Sequence, residues 1–152
     1  MDFSVKIEGL DKIEHATAEM QRSVQAELNK ALFASAKRVE KEAKQSITAG
    51  GKTGRTYRRR TVAHTASAPG EAPASDTGRL VNSITAELHA ADLEATVTAG
   101  GGAVAYAAML EFGTRTTAAR PFMFPALEKS KAWITERLAR AVRTAAAKSV
   151  GK

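Results

Sequence analysis

DKIEHATAEMQRSVQAELNKALFASAKRVEKEAKQSITAGG, residues 11–51, is the stretch of sequence that decides the fold. Its apolar side chains recur at the spacing of one face of an α-helix, while Lys, Arg and Glu occupy the other faces. The apolar stripe consists of Ile13, Met20, Val24, Leu28, Leu32, Val39, Ala43 and Ile47. Ala49-Gly50-Gly51 ends the pattern, because glycine tolerates the left-handed conformation that follows many helices. The stretch therefore predicts a long amphipathic helix from Asp11 onward.

Strand patterns lie on both sides of this helix. Residues 3–7 (FSVKI) alternate apolar and polar side chains, which is the period of a strand with one buried face, and Glu8-Gly9 ends them. Alternation returns at residues 80–88 (LVNSITAEL) and again at residues 93–99 (LEATVTA). Because residues 89–92 form a short connection between these two runs, the runs predict an antiparallel hairpin.

The C-terminal part of the chain is predicted to be mainly helical. Gly100-Gly101-Gly102 ends the second strand of the hairpin, and residues 104–112 predict a short helix that Gly113 stops. A final helix is predicted from about Ala126, with an apolar stripe of Leu127, Ile134, Leu138 and Val142.

The order of these elements is typical of a single α+β domain spanning residues 1–152. In this domain a long N-terminal helix and a C-terminal helix pack on one face of a small antiparallel β-sheet. Large aromatic side chains are scarce, with one Trp, two Tyr and five Phe. Such a composition favours a subunit that gains stability from its neighbours.

Residues 50–78 interrupt the helix and strand patterns with Gly, Pro, Ser and Thr, which predicts an extended, mobile loop. Between residues 52 and 65 the loop has no acid, and its basic and aromatic side chains are Lys52, Arg55, Tyr57, Arg58, Arg59 and Arg60. These side chains can neutralise phosphates and stack on a base, or they can meet acidic side chains of another subunit. We favour the second alternative, because one aromatic residue without a nucleic-acid-binding motif does not support specific base reading. The net charge of +7 agrees with either partner.

No pattern in the sequence points to catalysis, a metal site or a cofactor. There is no cysteine, and the three histidines, His15, His64 and His89, lack the spacing of metal ligands. Residues 50–54 (GGKTG) contain the Gly-Lys-Thr triplet with which a phosphate-binding loop ends. They lack the upstream glycine of that motif and the strand that precedes it. We therefore expect no catalytic residues, no enzymatic activity and no small-molecule substrate.

The sequence also contains no membrane or secretion signal. No run approaches the ~20 apolar residues that cross a bilayer. The N-terminal segment Met1-Asp2-Phe3-Ser4 lacks the basic region and apolar stretch of a leader peptide. We expect a protein that is made in the cytosol, has no membrane partner and leaves the cell only inside a particle.

Two further stretches resemble a known family. They are residues 67–84, SAPGEAPASDTGRLVNSI, and residues 106–127, YAAMLEFGTRTTAARPFMFPAL. Together, and in this order after an amphipathic helix, they are similar to the gene-product-ten-like tail-completion or neck proteins of siphophages. The residues that carry the resemblance are Thr77, Gly78, Leu80, Tyr106, Glu111, Phe112, Gly113, Arg120, Pro121, Phe122 and Pro125.

The resemblance implies a structural virion protein of the neck. Such a protein forms a symmetric ring, completes the tail and joins it to the DNA-filled head around the DNA channel. The implied partners are copies of the chain itself and neighbouring neck and tail proteins, such as the stopper or adaptor and the tail terminator. Assembly would take place in the host cytoplasm. The alternative is a DNA-binding or packaging-associated protein that uses the basic loop from Lys52 to Arg60, so a transient contact with genomic DNA stays open.

The motifs also have a physical interpretation. Gly78 can take a positive φ and turn the chain into a strand that begins at Leu80. Glu111 and Arg120 are expected to make polar contacts, within or between subunits, because charged residues are rarely buried without a partner. The aromatic side chains of this region either fill the core or anchor assembly contacts, and these are Phe112, Phe122 and Phe124.

Overall fold

The computed structural model describes residues 1–6, 18–59 and 61–150. Outside these ranges lie the predicted end of the first strand, the predicted helix start near Asp11, and the residues Ile13, His15 and Arg60. The elements are β1 (Asp2–Lys6), α1 (Ala18–Thr48), β2 (Thr56–Arg59), β3 (Val62–Thr65), α2 (Arg79–Asn82), β4 (Thr85–His89), β5 (Glu94–Thr98), α3 (Ala107–Phe112) and α4 (Met123–Val150). The predicted α+β class is confirmed.

The long helix α1 contributes much of the core. Its buried side is the stripe predicted from the sequence, with Val24, Leu28, Leu32, Val39, Ala43 and Ile47 all buried. After the helix ends, Gly51 takes a φ of 82°, and Nζ of Lys52 donates a 2.8 Å hydrogen bond to the Ser46 carbonyl oxygen. This bond satisfies a terminal carbonyl and places a cation where the helix dipole favours one. The predicted end of the helix is therefore confirmed.

A three-stranded antiparallel sheet packs against α1, with strand order β1-β5-β4. In the central strand, Val97 pairs with Phe3 on one side and Ala86 on the other. Ala95 and Val97 are buried, whereas the exposed residues of β4 are Thr85, Glu87 and His89. The alternation that predicts the hairpin thus separates an apolar face from a polar outer face.

The C-terminal helix α4 runs antiparallel to α1 and packs mainly against it. Nζ of Lys148 lies 2.7 Å from Glu27 at one end of the pair, and Nζ of Lys129 lies 2.6 Å from Glu42 at the other. These hydrogen bonds lower the pKa of both glutamates. The sequence analysis placed both long helices on the sheet, but it is α1 that packs on the sheet, and α4 mainly covers α1.

Two predicted boundaries were wrong. Residues 79–82 form α2 instead of the start of a strand, and β4 begins only at Thr85. Leu80 and Ile84 are both buried, and their spacing of four residues fits one side of a helical turn as well as an alternating strand. The second boundary is the start of α4, which lies at Met123 and not near Ala126.

The segment 50–78 contains an antiparallel hairpin that the sequence analysis does not predict. β2 and β3 pair with Tyr57 opposite His64, and they form a two-stranded sheet separate from the three-stranded one. At the base of the hairpin, just before β2 and just after β3, the Gly54 amide donates to the Ala66 carbonyl, and the Ala66 amide donates to the Arg55 carbonyl. The parts of the segment on either side of this hairpin contain no helix or strand. Mobility of the segment stays a prediction.

Candidate assembly surface

The junction between α3 and α4 is built around the carboxylate of Glu111, which is 4% exposed. Its oxygens accept hydrogen bonds from the backbone amides of Phe122 at 2.7 Å, Met123 at 3.0 Å and Phe124 at 2.7 Å. These are amides that the first turn of a helix leaves without a helical partner. The next residue, Pro125, has no amide hydrogen to satisfy. The carboxylate therefore caps α4 completely, at the end where the helix dipole favours a negative charge.

This cap explains why α4 starts earlier than predicted. The sequence analysis placed the helix start at about Ala126, directly behind Pro125. A proline inside a helix removes a hydrogen bond. In the first turn no bond is lost, and the acceptor that the preceding amides need comes from a different helix. Pro121 is half-buried just before the cap, and Phe122 is fully buried. Phe122 is thus a core residue.

A tight turn joins the two helices. Gly113 takes a φ of 75°, and a Cβ atom at this position would lie 2.9 Å from the Thr117 carbonyl oxygen, so the turn requires glycine. Arg120 does not pair with Glu111, because its Nε donates to the Ser67 carbonyl at 3.2 Å. The polar contacts expected of Glu111 and Arg120 are both made within the subunit, and the second of them joins the two sequence motifs.

Around this rigid junction, large apolar side chains face solvent. Phe112 is 70% exposed and Met109 is 57% exposed, and Tyr106, immediately before α3, is also exposed. Their spacing of three residues places them along one side of the helix. Phe124 is exposed at the start of α4, where its amide binds Glu111. We call these four residues, Tyr106, Met109, Phe112 and Phe124, the α3 apolar surface.

A groove beside α3 brings distant parts of the sequence together. Its volume is about 310 Å³, and its lining includes the predicted site residues Tyr57, Thr77, Gly78, Leu80, Tyr106 and Arg120. Gly78 takes a φ of 73°, as the sequence predicts, but it leads into α2 and not into a strand. The two sequence motifs and the basic loop therefore meet at one place on the subunit.

Residues 11–113 match a protein-family model described as "Bacteriophage HK97-gp10, putative tail-component". The match covers more than half of the chain. The chain belongs to the HK97-gp10-like family. This confirms the resemblance found in the sequence motifs. No curated protein and no solved structure matches the chain. The matched range of this gp10-like chain includes both hairpins and ends at Gly113, so α4 lies outside it.

The hairpin formed by β2 and β3 presents a basic surface of the gp10-like chain. Arg55, Tyr57 and Arg58 are exposed, and the Tyr57 ring lies 5.2 Å from the ring of His64. Within the described ranges, neither arginine forms an ion pair. Of the other predicted basic residues, Arg59 lies in β2 beside Arg58, Lys52 is bound to the end of α1, and Arg60 is outside the described residues.

Glu71 holds the base of this hairpin, and sequence reasoning missed it. Its carboxylate accepts hydrogen bonds from the Thr53 hydroxyl, from the Ala68 amide at 2.9 Å and from the Thr53 amide at 3.1 Å. These bonds, with that of the Thr53 hydroxyl the strongest cause, lower the pKa of Glu71 to about 2. The one sequence signal was an acid directly after the Pro69-Gly70 turn, where a side chain can close the turn by bonding the backbone.

Among the described residues, no group of three or more His, Asp and Glu is placed to hold a metal ion. In the same part of the chain, no helix is long and apolar enough to cross a membrane.

Proposed function

We propose that this gp10-like chain is a structural component of the phage tail that forms a ring in the neck. The ring completes the tail and joins it to the DNA-filled head around the DNA channel. The family match supports the tail assignment, and the α3 apolar surface is the observation that carries the assembly role. The chain is assembled in the host cytoplasm, becomes part of the virion and has no catalytic role.

The physical argument rests on the composition and rigidity of the α3 apolar surface. Aromatic residues and Met are enriched at the centres of protein interfaces, and a few such residues carry most of the binding energy. Phe112 and Phe124 lie on either side of the Glu111 cap, which fixes α3 and α4 relative to each other through three hydrogen bonds. A surface held in this way loses little conformational entropy on binding. Its proposed partners are a second copy of the chain and the neighbouring stopper or adaptor and tail terminator proteins.

Phe112 and Phe122 provide a matched test, because they are the same residue type with opposite exposure. Phe112→Ala should leave the fold intact and cost about 2 kcal/mol or more at each contact. The expected phenotype is full heads and finished tails that fail to join. Phe122→Ala should instead lower the free energy of unfolding by about 3–5 kcal/mol.

The two readouts are thermal unfolding of the purified variants and a head-to-tail joining assay in the phage that encodes the chain. Normal joining with Phe112→Ala would remove the α3 apolar surface from the function. A loss of joining that only follows a loss of melting temperature would make Phe112 a stability residue.

A second candidate function, DNA binding, is favoured by one observation on the basic hairpin. Arg55, Tyr57 and Arg58 are exposed together, and residues 52–70 contain no acid. Phosphate contacts release counterions, so binding of a DNA duplex through this hairpin should fall steeply as salt increases. Binding that is absent at low salt, or that Arg58→Glu leaves unchanged, would eliminate this candidate.

A further inference from the structure

Among the acids whose side chains the structure describes, those without a partner are concentrated on one hairpin of the subunit. Most described acids contact a base or a backbone amide, namely Glu27, Glu40, Glu42, Glu71, Glu111, Glu128 and Glu136. Asp2 lies near the N-terminal amine, and Asp76 also has a partner. Of the acids with described side chains, three make no hydrogen bond or ion pair with another described residue: Glu87, Asp92 and Glu94. All three belong to β4, β5 or the turn between them.

The other hairpin of the subunit has the opposite charge. Residues 52–70, which contain β2 and β3, have five basic residues and no acid, whereas residues 80–114, which contain β4 and β5, have no Lys or Arg. Glu87 and Arg58 are both exposed. The basic residue opposite Glu94 in the sheet register is Lys6 of β1. The outer face of the sheet therefore remains acidic overall, and the β2–β3 hairpin remains basic.

No hydrogen bond or ion pair joins these two hairpins within the described part of one subunit. Two different surfaces of complementary charge on one chain fit a heterologous contact, in which one surface of a copy binds the other surface of the next copy. Such contacts close into rings when the rotation between copies permits. Complementary charges also fix the orientation of two partners that would otherwise repel each other, as copies with a net charge of +7 do.

We propose that the β2–β3 hairpin of one copy lies against the outer face of the β4–β5 hairpin of the next copy. In this contact Arg58 and its basic neighbours face Glu87, Asp92 and Glu94. Exposed ion pairs contribute little energy individually, so the hairpin contact sets the register between copies and the α3 apolar surface supplies affinity. This inference rests on the proposed assembly function and names the partner as a second copy of the chain.

Charge reversal tests the contact. Arg58→Glu and Glu87→Arg, made singly, should each weaken self-association by about tenfold or more, because each places like charges opposite one another. The double variant restores the pairing and should recover most of the loss. Glu128→Arg, which reverses an exposed acid on α4, is the control for Glu87→Arg with the same change in net charge and should have little effect. Sedimentation of folded variants at low salt measures the association.

Cross-linking provides a second readout, because the chain contains no cysteine. Arg58→Cys protein mixed with Glu87→Cys protein should form mixed dimers with a short bifunctional maleimide. Such a reagent is needed because the backbones of an Arg–Glu pair are further apart than a disulfide spans. Mixing Arg58→Cys with Glu128→Cys should give few mixed dimers.

The hairpin contact would be overturned by equal association of all the charge variants, by equal cross-linking of both mixtures, or by a chain that stays monomeric at every concentration. The head-to-tail joining assay separates these results from failure of the proposed function. Joining that tolerates both single reversals would retain the tail role and discard the hairpin contact. A DNA-binding role for the hairpin would show as a loss with Arg58→Glu that Glu87→Arg does not restore.

Discussion

The two hairpins of this chain have the same secondary structure and opposite environments. β4 and β5 belong to the central sheet, where Val97 is 3% exposed, whereas Val62 at the start of β3 is 68% exposed. The β4–β5 hairpin is stabilised by apolar burial against α1. The β2–β3 hairpin is stabilised by the pairing of its two strands and by hydrogen bonds at its base. One small domain therefore combines an apolar body with a basic extension.

Glu111 and Glu71 differ in burial in the same way as the two hairpins. Glu111 and Glu71 each accept three hydrogen bonds, mainly from backbone amides. Glu111 does so inside the body and is buried, whereas Glu71 does so at the base of the β2–β3 hairpin and is half-exposed. The same chemistry should therefore have a global effect in one place and a local effect in the other.

The largest expected difference between the body and the extension comes from Glu111→Gln. An amide cannot accept all three hydrogen bonds, so buried donors are left unsatisfied, and the free energy of unfolding should fall by about 3 kcal/mol or more. Denaturant unfolding measures this loss. Glu71→Gln is the matched control and should change the global unfolding transition little. Equal effects of the two substitutions would abolish the distinction between body and extension.

The next effect compares valines in the two hairpins. Val97→Ala removes buried methyl groups and should cost roughly 2 kcal/mol of unfolding free energy. Val62→Ala, at an exposed position, should cost less than about 0.5 kcal/mol. Thermal unfolding of both variants checks the difference. A substantial loss with Val62→Ala would mean that β3 is packed in the isolated subunit.

The difference between the hairpins also explains what the sequence could predict. The helical spacing of the buried residues Val24, Leu28 and Leu32 predicted α1. The alternation that includes the buried residues Ala95 and Val97 predicted β5. Patterns of this kind detect elements that bury one side. β2 buries little, and its Tyr-Arg-Arg sequence carries no alternation of apolar side chains, so the basic hairpin was missed.

The candidate site was predictable in composition but not in its contacts. Glu111, Phe112, Gly113 and Arg120 could be selected from the motifs, and the positive φ of Gly78 could be predicted from its residue type. The cap on α4 could not, because the carboxylate of Glu111 binds amides more than ten residues away. Only the folded chain brings such groups together.

An intermediate effect concerns the response of the β2–β3 hairpin to acid. The hydrogen bonds of Glu71 hold its pKa at about 2, below the ordinary value of 4.5. The stabilisation of the hairpin base is therefore complete above about pH 4.5 and is lost as the pH falls through about 2. NMR amide shifts of Thr53 and Ala68 should follow this titration, and Glu71→Gln should remove it. A titration near the ordinary pKa would contradict the hydrogen-bonded geometry.

The smallest effect needs no substitution. The β2–β3 hairpin is a two-stranded sheet separate from the central one, so trypsin should cleave first after Arg55, Arg58, Arg59 or Arg60. Cleavage after Arg140 of α4 should be much slower, because that backbone is helical and packed on α1. Mass spectrometry of early fragments gives the order. Protection of all hairpin sites in the isolated chain would show that the extension is as stable as the body.

Electron cryo-microscopy of purified phage particles that contain this chain tests the central claim most directly. We predict a closed ring of copies in the neck, with Phe112 covered by a neighbour and the β2–β3 hairpin of each copy against β4 and β5 of the next. Particles that join heads to tails without the chain, or a neck in which Phe112 faces solvent and the basic hairpin lies only on DNA, would contradict it.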